Sequence, residues 1–353
     1  MMSDKYFKSN IIYEDIQNIN KNVSNKSIFE DSKILITGAN GMIASYLVYF
    51  FCYINDFILT KPCILYLVVK NKKRNRRIER FLSKPYVEII AQDIAEPIKI
   101  DKSINYIIHA ASIASPQRYI REPVQTINAN ILGLYNVLSL PHEKLRSLMF
   151  FSSSELYGNP GKGNIPTKES YVGRTNFHDI RSSYVESKRF GEVICINYFR
   201  EFKTPIKIIR PFHVYSPEID PKDKRIFASF VHSALRRGEI EINGDGKSTR
   251  TFCYITDAVI MILKILISDY NGEVFNIGNQ KNEISVKNLA NLIAEITNTN
   301  IRVKILNNSA GFLGTAPIRS CPDMQKTEKF LDFIPEVDLR AGFSRVIEYQ
   351  RTQ

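Results

Sequence analysis

The sequence predicts an α/β architecture, a doubly wound parallel sheet joined to a smaller carboxy-terminal domain. Three observations carry the prediction. Short β-rich runs alternate with helix-length segments from Lys33 to Ile209, the pattern of a parallel sheet with helices on both faces. A glycine turn between Thr37 and Gly41 ends the first run and opens directly into an apolar helical stretch. Beyond Pro211 the alternation dissolves into shorter elements punctuated by Pro217, Pro221, Gly244, Gly246, Pro317 and Pro322. At 353 residues the chain has room for one large and one small domain sharing a cleft. The divisions read from it are an extension over 1–33, the sheet domain over 34–210, and a portion over 211–353 interleaved with the sheet domain.

In the extension, Ile11, Ile12, Ile16 and Ile19 recur at helical spacing in a polar segment, which predicts a short amphipathic helix packed on the main body. Lys33 to Ile36 reads as the first strand and Met42 to Tyr53 as the helix after the turn. Further strands are expected at Ile64 to Val69, Val87 to Ala91, Tyr106 to Ala110, Leu148 to Ser152 and Ile206 to Ile209.

Composition narrows the function classes. Hydrophobic residues make up 44% and charged residues 24%, which excludes a disordered or fibrous chain. Cys52, Cys63, Cys195, Cys253 and Cys321 form no CxxC pair and have no histidine at ligand spacing, so neither a metal site nor a disulfide framework is expected, and a reducing cytoplasm suits them. The apolar stretches Tyr46 to Tyr53 and Val259 to Ile267 are too short to span a bilayer, and no signal-peptide core precedes them. The net charge of +12 is sharpest at Lys70, Lys72, Lys73, Arg74, Arg76, Arg77 and Arg80. Charge alone leaves nucleic acid, a membrane surface and an acidic substrate open, although no aromatics interleave that cluster to stack bases.

Gly38 and Gly41, with Ala44 a turn later, form G-x-x-G-x-x-A between a strand and a helix. Glycines there let the backbone approach a pyrophosphate, whose charge meets the free amides and positive end of the helix. A structural tight turn would use the same glycines, but the strand before and the helix after suit the dinucleotide turn of a Rossmann fold. In such folds the end of the second strand selects the cofactor, an acid for NAD(H) and a base for NADP(H). Lys70 stands there with the basic cluster after it, so NADP(H) is expected in preference to NAD(H). Asp93, after the third strand, is a candidate contact to the adenine edge. Tyr184 and Lys188 lie four apart, sharing one helical face, where an ammonium would stabilise phenolate and make the tyrosine a usable acid or base. Ser152-Ser153-Ser154-Glu155 closes the fifth strand and supplies a hydroxyl for the reacting oxygen.

These segments resemble the extended short-chain dehydrogenase/reductases of the NAD-dependent epimerase/dehydratase family. The similarity runs through TGANGMIA (37–44), IIHAAS (107–112), NILG (130–133), SSSELYG (152–158), YVESK (184–188), RTFCYITD (250–257) and FNIGN (275–279). It implies a nucleotide-sugar enzyme with Ser153, Tyr184 and Lys188 as catalytic residues and Asn130 supporting them. Gly38, Asn40, Gly41 and Met42 would line the cofactor pyrophosphate, and Ala110, Ala111 and Ser112 its nicotinamide-side ribose. Arg250 would bind the substrate diphosphate. Ser154, Arg181, His213 and Arg225 are further candidate substrate contacts, and Glu155 is a candidate additional acid or base. Relatives often pair through the helix bearing the Tyr-x-x-x-Lys motif, so a homodimer is expected. His109, inside a strand, is expected to be structural.

The residues after Ser153 discriminate between the family's reactions. Ser154-Glu155 replaces the Asp-Glu pair of 4,6-dehydratases, which argues against dehydration. ESYVGRTNFHDIRSSYVESKR (169–189) resembles UDP-glucuronate decarboxylases at Tyr171, Gly173, Asn176 and Arg181, with Ser153 and Glu155. Lys70 and His213 depart from that pattern. A net reductase consumes NADPH, so the Lys70 reading leads to reduction of a dTDP-4-keto-6-deoxyhexose, for surface polysaccharide such as O-antigen, as the expected reaction. Decarboxylation of UDP-glucuronate or 4-epimerisation is the alternative, and a non-catalytic NAD(P)-binding regulator a minor one.

Overall fold

A computed structural model describes residues 7, 9–71, 76–141, 143–173, 176–297, 300–306 and 317–353. Its centre is a sheet of seven parallel strands. Six come from the first part of the chain: β1 (Lys33–Thr37), β2 (Ile64–Val69), β3 (Val87–Ala91), β4 (Tyr106–His109), β5 (Ser147–Phe151) and β6 (Ile206–Pro211). The seventh, β7 (Val274–Ile277), pairs with β6, so the sheet runs β7-β6-β5-β4-β1-β2-β3. The order reverses between β1 and β4, and an open α/β sheet binds its ligands at such a point, outside the carboxyl ends of the strands.

Successive side chains of a strand point to opposite faces, and β1 divides its residues accordingly. Ile34 and Ile36 join the core under α2 (Met42–Phe57), while Leu35 joins the core formed with α4 (Pro123–Leu138) and α5 (Ser182–Phe202). Short α3 (Pro116–Arg121) enters α4 through a proline at its first turn, where φ is preset for a helix. The expected strands and the helix after the turn are all present, with ends shifted by up to four residues.

After β6 the chain is more regular than its sequence suggests. It forms α6 (Ile226–Arg237), α7 (Ile255–Ile267), α8 (Val286–Thr297), α9 (Gln325–Leu331) and α10 (Leu339–Arg351). Thr249–Thr251 lies between Glu283–Ser285 and Arg319–Ser320 in a small three-stranded sheet. The apolar stretch in α7 is a buried core helix, and among the described residues no helix is long and apolar enough to cross a membrane.

The amino-terminal segment forms the expected helix, α1 (Asn10–Asn22), capped by Ser9, with Ile11, Ile12, Ile16 and Ile19 buried. Asp15 is buried with them. Its carboxylate accepts hydrogen bonds from Tyr46 of α2 at 3.0 Å, Tyr254 at 2.9 Å and Arg345 of α10 at 2.9 Å. Burial pushes its carboxyl up to about 6, against the pull of Arg345.

Candidate active site

The site is assembled where β1, β4 and β5 end. Gly38 has φ +66°, and a Cβ there would lie 2.8 Å from the Cα of Ala111. Only glycine lets this turn close on the segment after β4. Thr37 locks the same approach: its hydroxyl accepts from the Ala111 amide at 3.1 Å and pairs with His109 Nδ1 at 2.9 Å. Burial, and secondarily Lys188, push His109 down to about 3, so it is a neutral structural residue as expected. Gly41 begins α2 without a side-chain cap. The glycine turn, the uncapped helix start and the Ala110–Ser112 segment therefore fit a dinucleotide pyrophosphate and its adjoining ribose.

Asn40 is held by the basic segment after β2. Its side chain accepts from the Arg77 amide at 3.2 Å, and its carbonyl accepts from the Arg77 guanidinium at 3.1 Å. Lys70 and Asp93 come together, but with each other: their ion pair spans 2.8 Å. Both side chains remain substantially exposed, so the pair sets the lysine beside a carboxylate at the edge of the cofactor turn. Lys72, Lys73 and Arg74 lie outside the described residues.

Tyr184 sits in the first turn of α5 and is buried, with Ser153 nearby, whose hydroxyl accepts from the Glu155 amide at 3.2 Å. Lys188, one turn on, donates to the Phe151 carbonyl at 2.6 Å, and burial pulls its ammonium down to about 7. The expected lowering of the tyrosine by this lysine is not found. Burial and the nearby Glu155 carboxylate push the Tyr184 phenol above its ordinary value, while Ser153, Arg181 and Arg225 oppose them. Asn130 links Ser112, at 2.7 Å, to Ser187 of α5, at 2.8 Å, and so ties the segment after β4 to the helix bearing Tyr184 and Lys188.

A cavity of about 400 Å³ is lined by Ser154, Glu155, Arg181, His213, Arg225 and Arg250, among others. Arg181 is ion-paired to Glu155 at 2.7 Å, so its first partner is a protein carboxylate. Arg225 pairs with Asp223 at 2.6 Å and reaches the Met42 sulfur at 3.7 Å, which brings cofactor turn and cavity together. Arg250 donates to the Thr249 carbonyl and, among the described residues, has no carboxylate in ion-pair contact. Burial and Arg181 pull it down to about 10, the mark of crowded cations. Burial, then Arg250, Arg225 and Arg181, push His213 down to about 3, so a neutral imidazole faces the arginines with its Nδ1 unpartnered among the described residues.

Two features escaped the sequence reading. Tyr119 of α3 stacks on Tyr184 with ring centroids 4.9 Å apart and bonds Glu155 at 3.1 Å. Arg210 of β6 forms a two-armed pair with Glu192 of α5 at 2.9 and 2.6 Å and bonds the Tyr157 hydroxyl, which in turn reaches Asn276 of β7. The second network fastens the late strand beneath the site.

The model of the NAD dependent epimerase/dehydratase family matches residues 34–278. The chain belongs to that family. This epimerase/dehydratase member is 32% identical over 312 residues to UDP-glucuronic acid decarboxylase 5 of Arabidopsis thaliana, covering 88% of this chain and 86% of the relative. It is 29% identical to UDP-glucuronic acid decarboxylase 1 of Xenopus tropicalis, over 96% of this chain and 79% of that one. Among solved structures, a UDP-glucose 4-epimerase from Thermotoga maritima with UDP-glucose aligns at TM-score 0.75 and 25% identity, covering 91% and 99% of the two chains. A UDP-glucuronic acid 4-epimerase variant from Bacillus cereus, in complex with UDP-4-deoxy-4-fluoro-glucuronic acid and NAD, shares the fold at TM-score 0.77 and 23% identity, covering 91% and 99%. This epimerase/dehydratase is a nucleotide-sugar enzyme of an NAD-dependent family.

Proposed function

We propose that the protein decarboxylates UDP-glucuronate: a UDP-hexuronate enters, and a UDP-pentose and carbon dioxide leave, with no net change in the cofactor. The observation that carries this reading is Glu155, a carboxylate fixed beside Ser153 and Tyr184 in an arginine-lined cavity, in a chain similar to decarboxylases along most of its length. Loss of the carboxyl group requires a carbonyl at C4, which delocalises the electron pair left behind. NAD bound along Gly38–Met42 and Ala110–Ser112 would supply that chemistry, taking hydride from C4 and returning it.

The chain's own residues do the rest. Tyr184 moves the proton of the C4 hydroxyl, with Ser153 hydrogen-bonded to the same oxygen. Lys188 and Asn130 brace the segments that would hold the nicotinamide-side ribose. Glu155 moves a proton at C5 once carbon dioxide has left. Arg250 and Arg225 hold the diphosphate, while Ser154, Arg181 and neutral His213 face the sugar.

NAD(H) fits this reading better than NADP(H). The Lys70–Asp93 pair weakens the case for a 2′-phosphate contact, and an enzyme that recycles its cofactor gains nothing from NADPH. Net reduction of a dTDP-4-keto-6-deoxyhexose rested on Lys70 and loses support with it. We also propose a homodimer through α4 and α5. Val124, Ile127 and Tyr135 on one helix, and Phe190 and Val193 on the other, recur at helical spacing and are exposed, which suits a second copy of the same face. The five cysteines, all free and buried, agree with a reducing compartment such as the cytoplasm.

The test is to give the enzyme UDP-glucuronate with NAD and follow carbon dioxide, UDP-sugars and absorbance at 340 nm. Carbon dioxide with a UDP-pentose and no net absorbance change is expected. UDP-galacturonate without carbon dioxide would make it an epimerase, and NADPH loss with a dTDP-4-keto-6-deoxyhexose a reductase.

A further inference from the structure

We propose that Tyr119 is a positioning residue that fixes the Glu155 carboxylate toward the sugar and couples it mechanically to Tyr184. The inference rests on the reading of Glu155 as a proton-transfer group. Tyr119 is fully buried, and its hydroxyl donates to Glu155 Oε2 at 3.1 Å. Arg181 donates to the same oxygen at 2.7 Å, so two fixed donors converge on Oε2, while Oε1, without a partner among the described residues, is left to meet a ligand. A carboxylate with one oxygen clamped by two donors has lost most of its rotational freedom about the last torsion.

Three further contacts make the clamp rigid. The Tyr119 ring lies almost parallel to Tyr184, 9° apart, with centroids separated by 4.9 Å. The Arg181 guanidinium sits 5.8 Å from the centre of the Tyr119 ring. The Ser183 hydroxyl, next to Tyr184, donates to the Tyr119 backbone carbonyl at 3.4 Å. Displacing Tyr119 therefore disturbs the carboxylate and the catalytic phenol together. Burial, reinforced by Glu155, pushes the Tyr119 phenol well above its ordinary value, so it remains a donor and does not itself exchange protons with substrate.

Tyr119→Phe keeps the ring stack and removes only the hydroxyl. With UDP-glucuronate, the transient rise at 340 nm should stay within about two-fold of the unsubstituted enzyme, because Tyr184 and Ser153 are intact. Product formation should slow by up to about a hundred-fold, the cost of roughly 1 Å of misplacement. The double variant Tyr119→Phe/Glu155→Gln should be no slower than Glu155→Gln alone, since one residue acts through the other. Additive losses, or a slowed 340 nm transient, would overturn the proposal. Crystal structures of the unsubstituted protein and Tyr119→Phe decide the positioning without any substrate: a rotated Glu155 carboxylate is expected, and an unmoved one defeats the idea. Failure of the unsubstituted enzyme to release carbon dioxide would retire only the substrate reading, leaving those structures to judge Tyr119.

Discussion

Tyr184 occupies surroundings that favour its neutral phenol, with Glu155 close and Lys188 turned to a backbone carbonyl. Tyr184→Phe should therefore cut turnover by about two to four orders of magnitude while leaving the fold intact, as a rate assay beside a thermal melt would check. Lys207 makes a second case at this scale. It is buried on β6, bonds Ser147 at 3.0 Å, and burial pulls it down to about 8 from an ordinary 10.5. Below pH 8 its ammonium is charged in folded and unfolded chains alike, and its burial costs stability in full. Between pH 8 and 10.5 the folded chain sheds the proton first, so the unfolded chain binds more protons and stability rises with pH. Lys207→Met should raise stability at pH 7 by up to about 3 kcal/mol, and the gap to the unsubstituted protein should close toward pH 10. A gap that ignores pH would show that burial of the charge is not the cause. Tyr184 and Lys188 were legible because helical spacing puts both on one face. Tyr119, Glu192 and Arg210 were not, because each meets its partner only through the packing of separate elements.

The turn from β1 into α2 was the most legible element, since strand, glycines and apolar helix succeed one another without a gap. Gly38→Ala puts a Cβ at φ +66° and 2.8 Å from the Ala111 backbone. The left-handed conformation alone costs a non-glycine residue roughly 1–2 kcal/mol. The variant should retain at least ten-fold less dinucleotide after purification, which denaturing it and measuring released nicotinamide cofactor would reveal. The strand β7 was illegible for the opposite reason. Val274–Ile277 is only four residues long and shows no regular apolar–polar alternation, and it becomes a strand by lying against β6, with Asn276 bonded to Tyr157. Cofactor choice was harder to read at the same scale. Lys70 looked decisive at the end of β2, but its partner Asp93 comes after β3, a neighbour only once the sheet has formed.

At the scale of the molecule, the exposed stripe on α4 and α5 predicts its own test. Phe190→Asp with Val193→Asp should convert a dimer to monomers by light scattering without a change in far-ultraviolet circular dichroism. A sample already monomeric before substitution would end the dimer proposal. The doubly wound order of the sheet was foreseen, since alternating strands and helices leave few ways to bury both faces. The packing of α1 was foreseen only in part: its isoleucines announce an apolar face, but nothing local announces that Asp15 is buried beside them. Asp15 and Arg345 are 330 positions apart. During vectorial synthesis at roughly 5–20 residues per second, α1 emerges from the ribosome on the order of 15–65 seconds before its guanidinium partner exists. For that interval the nascent amino terminus lacks its final anchor. Ribosome-arrested chains ending before Leu339 should be clipped near α1 by added protease, and released full-length chains should resist.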